Sequence, residues 1–315
     1  MRILVTGGNG QLGMCIKDSV DKYDFGNGNE YYFLGHIQLN VADYNNICKC
    51  LDDIKPNIVI NCAAYVKTGK AEGDELNAYL TNAMGPTYLA IACNERNIGL
   101  IHISTDFVFD GTKTTAYETT DECHPINTYG ASKYCGEEAI KSIYPEAIII
   151  RTSWLYSEYG DNFLTKTLRN IDTMANTGNK LRYLIDQVGC PTYARNLADF
   201  IVKDLIVGAK DLKIRAQTVF HYTDDGIASR YDFAKAIEKF IYKPCMGLET
   251  YSESVIEGIT SEVYSDNIKR PQCCILSKTD LIDDFDIKLR DWQDSLCDCA
   301  SHFLADAQLI KNILK

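Results

Sequence analysis

Apolar residues come in short runs through the first half of the chain, and each run is followed by a stretch with helical spacing. Arg2–Val5 predicts a strand and Gln11–Val20 a helix; Tyr31–Leu34 and Asn45–Ile54 repeat the pair. Ile58–Asn61 (IVIN) predicts a third strand, and helical periodicity over Asn77–Asn94 leads to a fourth at Gly99–Ser104 (GLIHIS). Pro125–Ile143 contains a helix, and Ala147–Arg151 (AIIIR) is a fifth strand. Such runs belong to strands covered on both faces, and helices between them imply right-handed parallel crossovers. The expected fold class is α/β, a doubly wound parallel sheet of Rossmann type with a smaller C-terminal substrate-binding lobe.

Beyond about residue 152 the alternation weakens, and Leu181–Tyr193 and Val219–Gly226 read as loops and short strands. The expected division is a dinucleotide-binding domain over residues 1–155 and a mainly substrate-binding lobe over 156–315. Segments around 217–223, Val219–Tyr222 in particular, are candidates to return to the main sheet.

Composition narrows the function. The 315 residues are 46% hydrophobic and 24% charged, which is ordinary for a globular chain. A net charge of −11 argues against nucleic acid as a partner, since phosphate backbones are bound by clustered Lys and Arg. No run of 18 apolar residues predicts a membrane span, and Met1–Thr6 leads into a glycine turn rather than a signal peptide. The expectation is a cytoplasmic protein, monomeric or homodimeric, acting on a small molecule. The 13 cysteines, among them Cys48 and Cys50, Cys273 and Cys274, and Cys297 and Cys299, follow neither a secreted disulfide framework nor zinc-ligand spacing. They read as reduced structural thiols, and the expected metal content of the site is none.

The first strand ends in Thr6-Gly7-Gly8-Asn9-Gly10-Gln11-Leu12-Gly13. Glycines at 7, 10 and 13, after a strand and opening a helix, allow a tight turn, close approach of a pyrophosphate and close helix–strand packing. The helix N-terminus then offers free N–H groups to the phosphates. An NAD site carries an acid near the end of strand two, whereas here that strand ends Leu34-Gly35-His36. Without the acid a 2′-phosphate is not repelled, so the reading leans to NADPH, with NADH possible.

Strand four ends Ser104-Thr105-Asp106, and Tyr129-Gly130-Ala131-Ser132-Lys133 follows. Tyr129 and Lys133 are four apart and share one helix face. On their own they could be an ordinary exposed pair. With the glycine loop and a hydroxyl residue ending strand four, they become a proton-donating phenol and the cation that lowers its pKa. Thr105 is placed to donate to a substrate carbonyl as negative charge develops there.

These residues, with Phe107–Gly111 (FVFDG) and Gly136-Glu137, resemble the extended short-chain dehydrogenases and, more narrowly, the dTDP-4-dehydrorhamnose reductases. Asn61–Tyr65, Lys70–Glu72, Arg151–Tyr156, Asp186–Gly189 with Pro191-Thr192, Arg270-Pro271 and Asp291-Trp292 extend the likeness over nearly the whole chain. The resemblance implies hydride transfer from NADPH to C4 of dTDP-4-dehydro-β-L-rhamnose, with Thr105, Tyr129 and Lys133 catalytic. It implies cofactor contacts at Gly7, Gly10, Gln11, Leu12, Gly13, Gly35, His36, Asn40, Val41, Ala63, Ala64, Tyr65, Val66, Tyr129 and Lys133. Thr105, Asp106, Tyr129 and Trp154 would contact the sugar.

The chain departs from the family at Gly35 and Asn40, where acids are usual, and at Val66 and Gly69. Some relatives use Mg²⁺ held by glutamates, but one such position is Cys15 here, so the metal is not carried over. Nucleotide-sugar 4,6-dehydratases place Asp-Glu after the strand-four hydroxyl, and this chain has Asp106-Phe107. A 4-epimerase, a reductase of another keto-sugar and a non-catalytic dinucleotide-binding regulatory subunit remain as alternatives. Arg151, Lys166, Arg169, Arg182 and Arg270 are the candidate cations for the substrate diphosphate.

Overall fold

A computed structural model describes residues 1–24, 26–175, 177, 179–208, 218–248, 253–263 and 268–314. The expected strands are all present: β1 (Arg2–Thr6), β2 (Glu30–Leu34), β3 (Ile58–Asn61), β4 (Gly99–Thr105) and β5 (Ile148–Thr152). A further strand, β6 (Val219–His221), pairs in parallel with β5, so this part of the second half lies in the main sheet. Of the segment 217–223, residue 217 lies outside the described residues. The order is β6-β5-β4-β3-β1-β2, every pair parallel.

Each strand is apolar on both sides because each side has its own helical layer. Ile3, Val5, Ile60 and Ile150 face α1 (Gln11–Tyr23) and a helical stretch over residues 194–207. Leu4, Val59, Leu100 and Ile149 face α2 (Tyr44–Ile54), α3 (residues 75–95) and α4 (Thr128–Ile143). The predicted helix over Asn77–Asn94 thus exists, but it contains a wide π-type turn at Leu80–Met84. Such turns often mark functional positions, and this one carries Asn82 inward.

Residues after β5 also build a separate core. Tyr156, Leu164, Leu168, Phe233, Ile237, Trp292 and Leu296 pack together, joining α5 (Phe163–Ala175), α6 (Arg230–Ile237) and α7 (Trp292–Ala305). All 13 cysteines are free thiols. No helix among the described residues is long and apolar enough to cross a membrane.

Candidate active site

In a parallel sheet all carboxyl ends lie on one edge, and a crevice opens where the strand order reverses. Here the reversal is between β1, which continues to β2 on one side, and β3 on the other. The loops after β1 and β3 meet at that point. Gly7 has φ +62°, and a Cβ there would sit 2.8 Å from the Ala63 nitrogen. A Cβ on Gly13 would come within 2.6 Å of the Gly7 carbonyl oxygen, so α1 can start this close to the turn only without side chains. Gly10 is the N-cap of α1 and contributes no capping side chain, leaving the first amides of the helix open. This cradle, which any Cβ would fill, fits a dinucleotide pyrophosphate.

The other expected cofactor residues surround the same edge. Gln11 begins α1, and its Oε1 accepts from Asn162 Nδ2 at 2.6 Å; Leu12 is buried beneath it. Gly35 is buried and His36 exposed just past β2. A Cβ on Gly35 would lie 2.5 Å from Asn9 Nδ2, so the asparagine side chain of the glycine loop would have to turn aside for an acid at this position. Asn40 Oδ1 accepts from the Ala42 amide, and buried Val41 lies under Gly85. Asn82, from the wide turn, accepts from the Tyr65 amide at 2.8 Å and donates to the Tyr65 carbonyl at 3.0 Å. That clamp sets the course of Ala63, Ala64 and Tyr65, while Val66 points outward, 64% exposed.

On the other side of the crevice stand the candidate catalytic residues. Thr105 is the last residue of β4, paired with Thr152 of β5, and both it and Asp106 are buried. The Thr105 hydroxyl donates to Asp106 Oδ1 at 3.0 Å, and Ser153 Oγ donates to Asp106 Oδ2 at 2.8 Å. Burial raises the Asp106 carboxyl to about 6, against the pull of these two hydroxyls and of Arg230. Asn127 caps α4 by accepting from the Gly130 amide, which fixes the first turn and Tyr129 with it. Tyr129 meets the ring of Phe107 edge-on at 5.5 Å.

Lys133 departs from expectation in one respect. Its Nζ donates to the Ile103 carbonyl at 2.5 Å and lies 3.3 Å from His102 Nε2. Burial pushes Tyr129 up to about 12, opposed by the Thr105 hydroxyl, and pushes Lys133 down to about 8. The expected lowering of the phenol by the ammonium is therefore not in force in this structure. Desolvation dominates both groups, and the lysine is turned to a backbone carbonyl.

Beneath the site, Glu137 of α4 takes a two-point ion pair from Arg151 of β5, at 2.7 Å to Nη2, and accepts from Ser104 of β4. Arg151 is thus consumed in a buried pair and is not a diphosphate cation. Lys166 and Arg169 pair with Asp161, and Arg182 is exposed beside Glu257. The cation that sequence reading passed over is Arg230. It packs on the Trp154 indole, its Nε donates to Gln187 Oε1 at 3.1 Å, and it has no carboxylate at ion-pair distance among the described residues. Burial and the nearby Arg270 lower it to about 9. No sequence signal distinguished it, because its neighbours Trp154, Gln187 and Asp106 come from other segments.

Trp154 itself has φ +45°, a left-handed conformation held by packing. Its ring occupies the space over Gly189, where a Cβ would lie 2.7 Å from the indole.

The strand order, the glycine cradle and the Thr105, Tyr129 and Lys133 set define an extended short-chain dehydrogenase/reductase. Within that class the chain belongs to the family described as RmlD substrate binding domain, whose model matches residues 1–305. The chain is 35% identical over 304 residues to the dTDP-4-dehydrorhamnose reductase of Aggregatibacter actinomycetemcomitans, covering 94% of this chain and 97% of that protein. A crystal structure of a dTDP-4-dehydrorhamnose reductase from Clostridium acetobutylicum superposes with TM-score 0.82 at 32% identity, over 97% of this chain and all (100%) of that one. A Bacillus anthracis dTDP-4-dehydrorhamnose reductase in complex with NADP gives 0.81 at 28% identity, over 97% and 99%.

Proposed function

We propose that this chain reduces the 4-keto group of a nucleotide-activated deoxysugar, converting dTDP-4-dehydro-β-L-rhamnose to dTDP-L-rhamnose with NADPH, as a cytoplasmic monomer or homodimer. The observation that carries this reading is the Thr105 hydroxyl, at the carboxyl end of β4, within hydrogen-bonding reach of Tyr129, on a sheet whose β1 ends in the glycine cradle, in a chain similar to a reductase of this name over 94% of its length.

Gly7, Gly10, Gln11, Leu12 and Gly13 would hold the cofactor pyrophosphate, Gly35, His36, Asn40 and Val41 its adenosine end, and Ala63–Val66 the nicotinamide side. When bound, the reduced nicotinamide supplies the hydride. Thr105 donates its hydroxyl hydrogen to the ketone oxygen, leaving its present acceptor on Asp106, and so stabilises the charge that develops there. Tyr129 delivers the phenolic proton to that oxygen, and Lys133 supports the tyrosinate that is left. Trp154 and Asp106 bound the sugar, and the lobe formed mainly by residues 156–315 carries it. Arg230, fixed by Gln187 and with no carboxylate at ion-pair distance among the described residues, is the cation for the substrate's diphosphate.

The test is oxidation of NADPH, followed by its absorbance, with dTDP-4-dehydrorhamnose as substrate and NADH in parallel. Turnover with this sugar establishes the reaction, and the two rates rank the cofactors. Absence of turnover with both cofactors overturns the assignment and moves it to another keto-sugar or to a regulatory dinucleotide-binding subunit.

A further inference from the structure

A line of buried side chains crosses the sheet under the crevice, from the cofactor cradle to Lys133. The Ala63 amide donates to Thr6 Oγ1 at 3.3 Å, and Thr6 Oγ1 donates to Asn61 Oδ1 at 2.6 Å. Asn61 Nδ2 faces His102 Nδ1 at 3.0 Å, and His102 Nε2 faces Lys133 Nζ at 3.3 Å. The four side chains come from β1, β3, β4 and α4, and none is more than 2% exposed.

The chemistry of each link constrains the next. With its oxygen taken by Thr6, Asn61 presents its NH₂ to His102, so Nδ1 must be the bare nitrogen and Nε2 carries the hydrogen. Burial and the adjacent lysine keep the imidazole neutral. An N–H therefore points at Lys133 Nζ. That contact is favourable toward an amine, which has a lone pair, and unfavourable toward an ammonium, which has only donors. Meanwhile the Ile103 carbonyl holds Nζ from the other side.

We propose that His102, oriented by Asn61 and Thr6, is a positioning residue that holds Lys133 and sets the pH at which it gives up its proton. The other titratable groups facing Lys133 are Cys62 and Glu137, and those acting on Tyr129 are Asp106 and the hydroxyl of Thr105. Burial keeps the Cys62 thiol neutral to about 12. Burial alone would raise Glu137, but Arg151 holds it below the usual carboxylate range. Neither changes charge between neutral and mildly alkaline pH, which leaves the orientation of His102 as the adjustable element. The inference rests on the reading of Lys133 as the partner of Tyr129, but not on the identity of the sugar.

The test uses the full-length protein and NADP⁺ alone. Calorimetric binding in buffers of different ionisation enthalpy, from pH 6.5 to 9.5, reads the protons exchanged on binding. The wild type should show proton exchange with one midpoint in this range. His102→Leu and His102→Met both remove the Nε2 hydrogen, and each should move the midpoint upward by about one pH unit, at near wild-type NADP⁺ affinity. The alkaline limb of kcat/KM should move with it. An unmoved midpoint in a folded variant, or no proton exchange in the wild type, overturns the inference. A wild type that exchanges protons with NADP⁺ yet reduces no sugar sinks the functional assignment alone.

Discussion

The guanidinium of Arg230 sits over Trp154, its central carbon 3.5 Å from the indole centroid. The stack fixes a cation over a residue whose own backbone is strained, and Gln187 locks its Nε. Removing the guanidinium should weaken the substrate's diphosphate end and leave the cofactor cradle intact. Arg230→Ala is expected to raise KM for the nucleotide sugar by roughly ten- to a hundredfold, the range of a lost charge-assisted hydrogen bond. NADPH affinity should not change, and parallel KM measurements check both.

Tyr129→Phe removes the group proposed to transfer its proton to the ketone oxygen, leaving only the Thr105 hydrogen bond there. Its ring can keep the edge contact with Phe107, so the fold and cofactor binding should survive. The expected loss is roughly 10²–10⁴-fold in kcat. A smaller loss in steady-state NADPH oxidation would remove Tyr129 from the acid role.

Asp106 should leave a signature near neutrality. Its carboxyl sits at about 6 because burial outweighs the Ser153 and Thr105 hydroxyls and Arg230. Above that pH the carboxylate accepts from Thr105; below it, protonation weakens the link. kcat/KM is expected to fall below pH 6 in the wild type and to be flat from pH 5 to 7 in Asp106→Asn, at a lower level. Because the folded pKa lies above the unfolded one, this group's contribution to stability is present at low pH and lost as pH rises through about 6. Asp106→Asn should remove that slope from the pH dependence of denaturant midpoints.

The Glu137–Arg151 pair carries α4 on β4 and β5, and both side chains are buried. Breaking it strands a charge. Glu137→Ala is expected to cost about 3–5 kcal/mol in chemical denaturation. Its carboxyl is held low, so its contribution is present above the unfolded pKa and lost as pH falls through the folded value.

Cofactor choice can be tested at Gly35. Asn9 crowds that position, since a Cβ would lie 2.5 Å from Asn9 Nδ2 and the amide must turn aside to admit an acid. The double variant Asn9→Ser with Gly35→Asp opens the space and places a carboxylate at the end of strand two, where an acid hydrogen-bonds the ribose 2′-hydroxyl of NADH. The ratio of NADH to NADPH kcat/KM should rise by roughly tenfold or more, the scale of one repulsive charge contact.

Short-range pattern alone determined a good deal of this protein. All five strands of the first half, the glycine turn at Gly7–Gly13 and the Tyr129–Lys133 face are set by residues within one or two turns of each other. Even the return of Val219–His221 to the sheet could be anticipated from its apolar run. Tertiary structure decided the rest, because it depends on which distant segments share a low-dielectric space. Arg151 was one of five candidate cations until β4, β5 and α4 enclosed it with Glu137. Arg230 acquired its place only when α6 brought it over Trp154. Lys133 and Tyr129 sit on one helix face as the spacing requires, yet burial sets their proton affinities and His102, 31 residues away in sequence, faces the lysine. Spacing puts groups on a common face; desolvation and partners from other strands determine what charge they carry there.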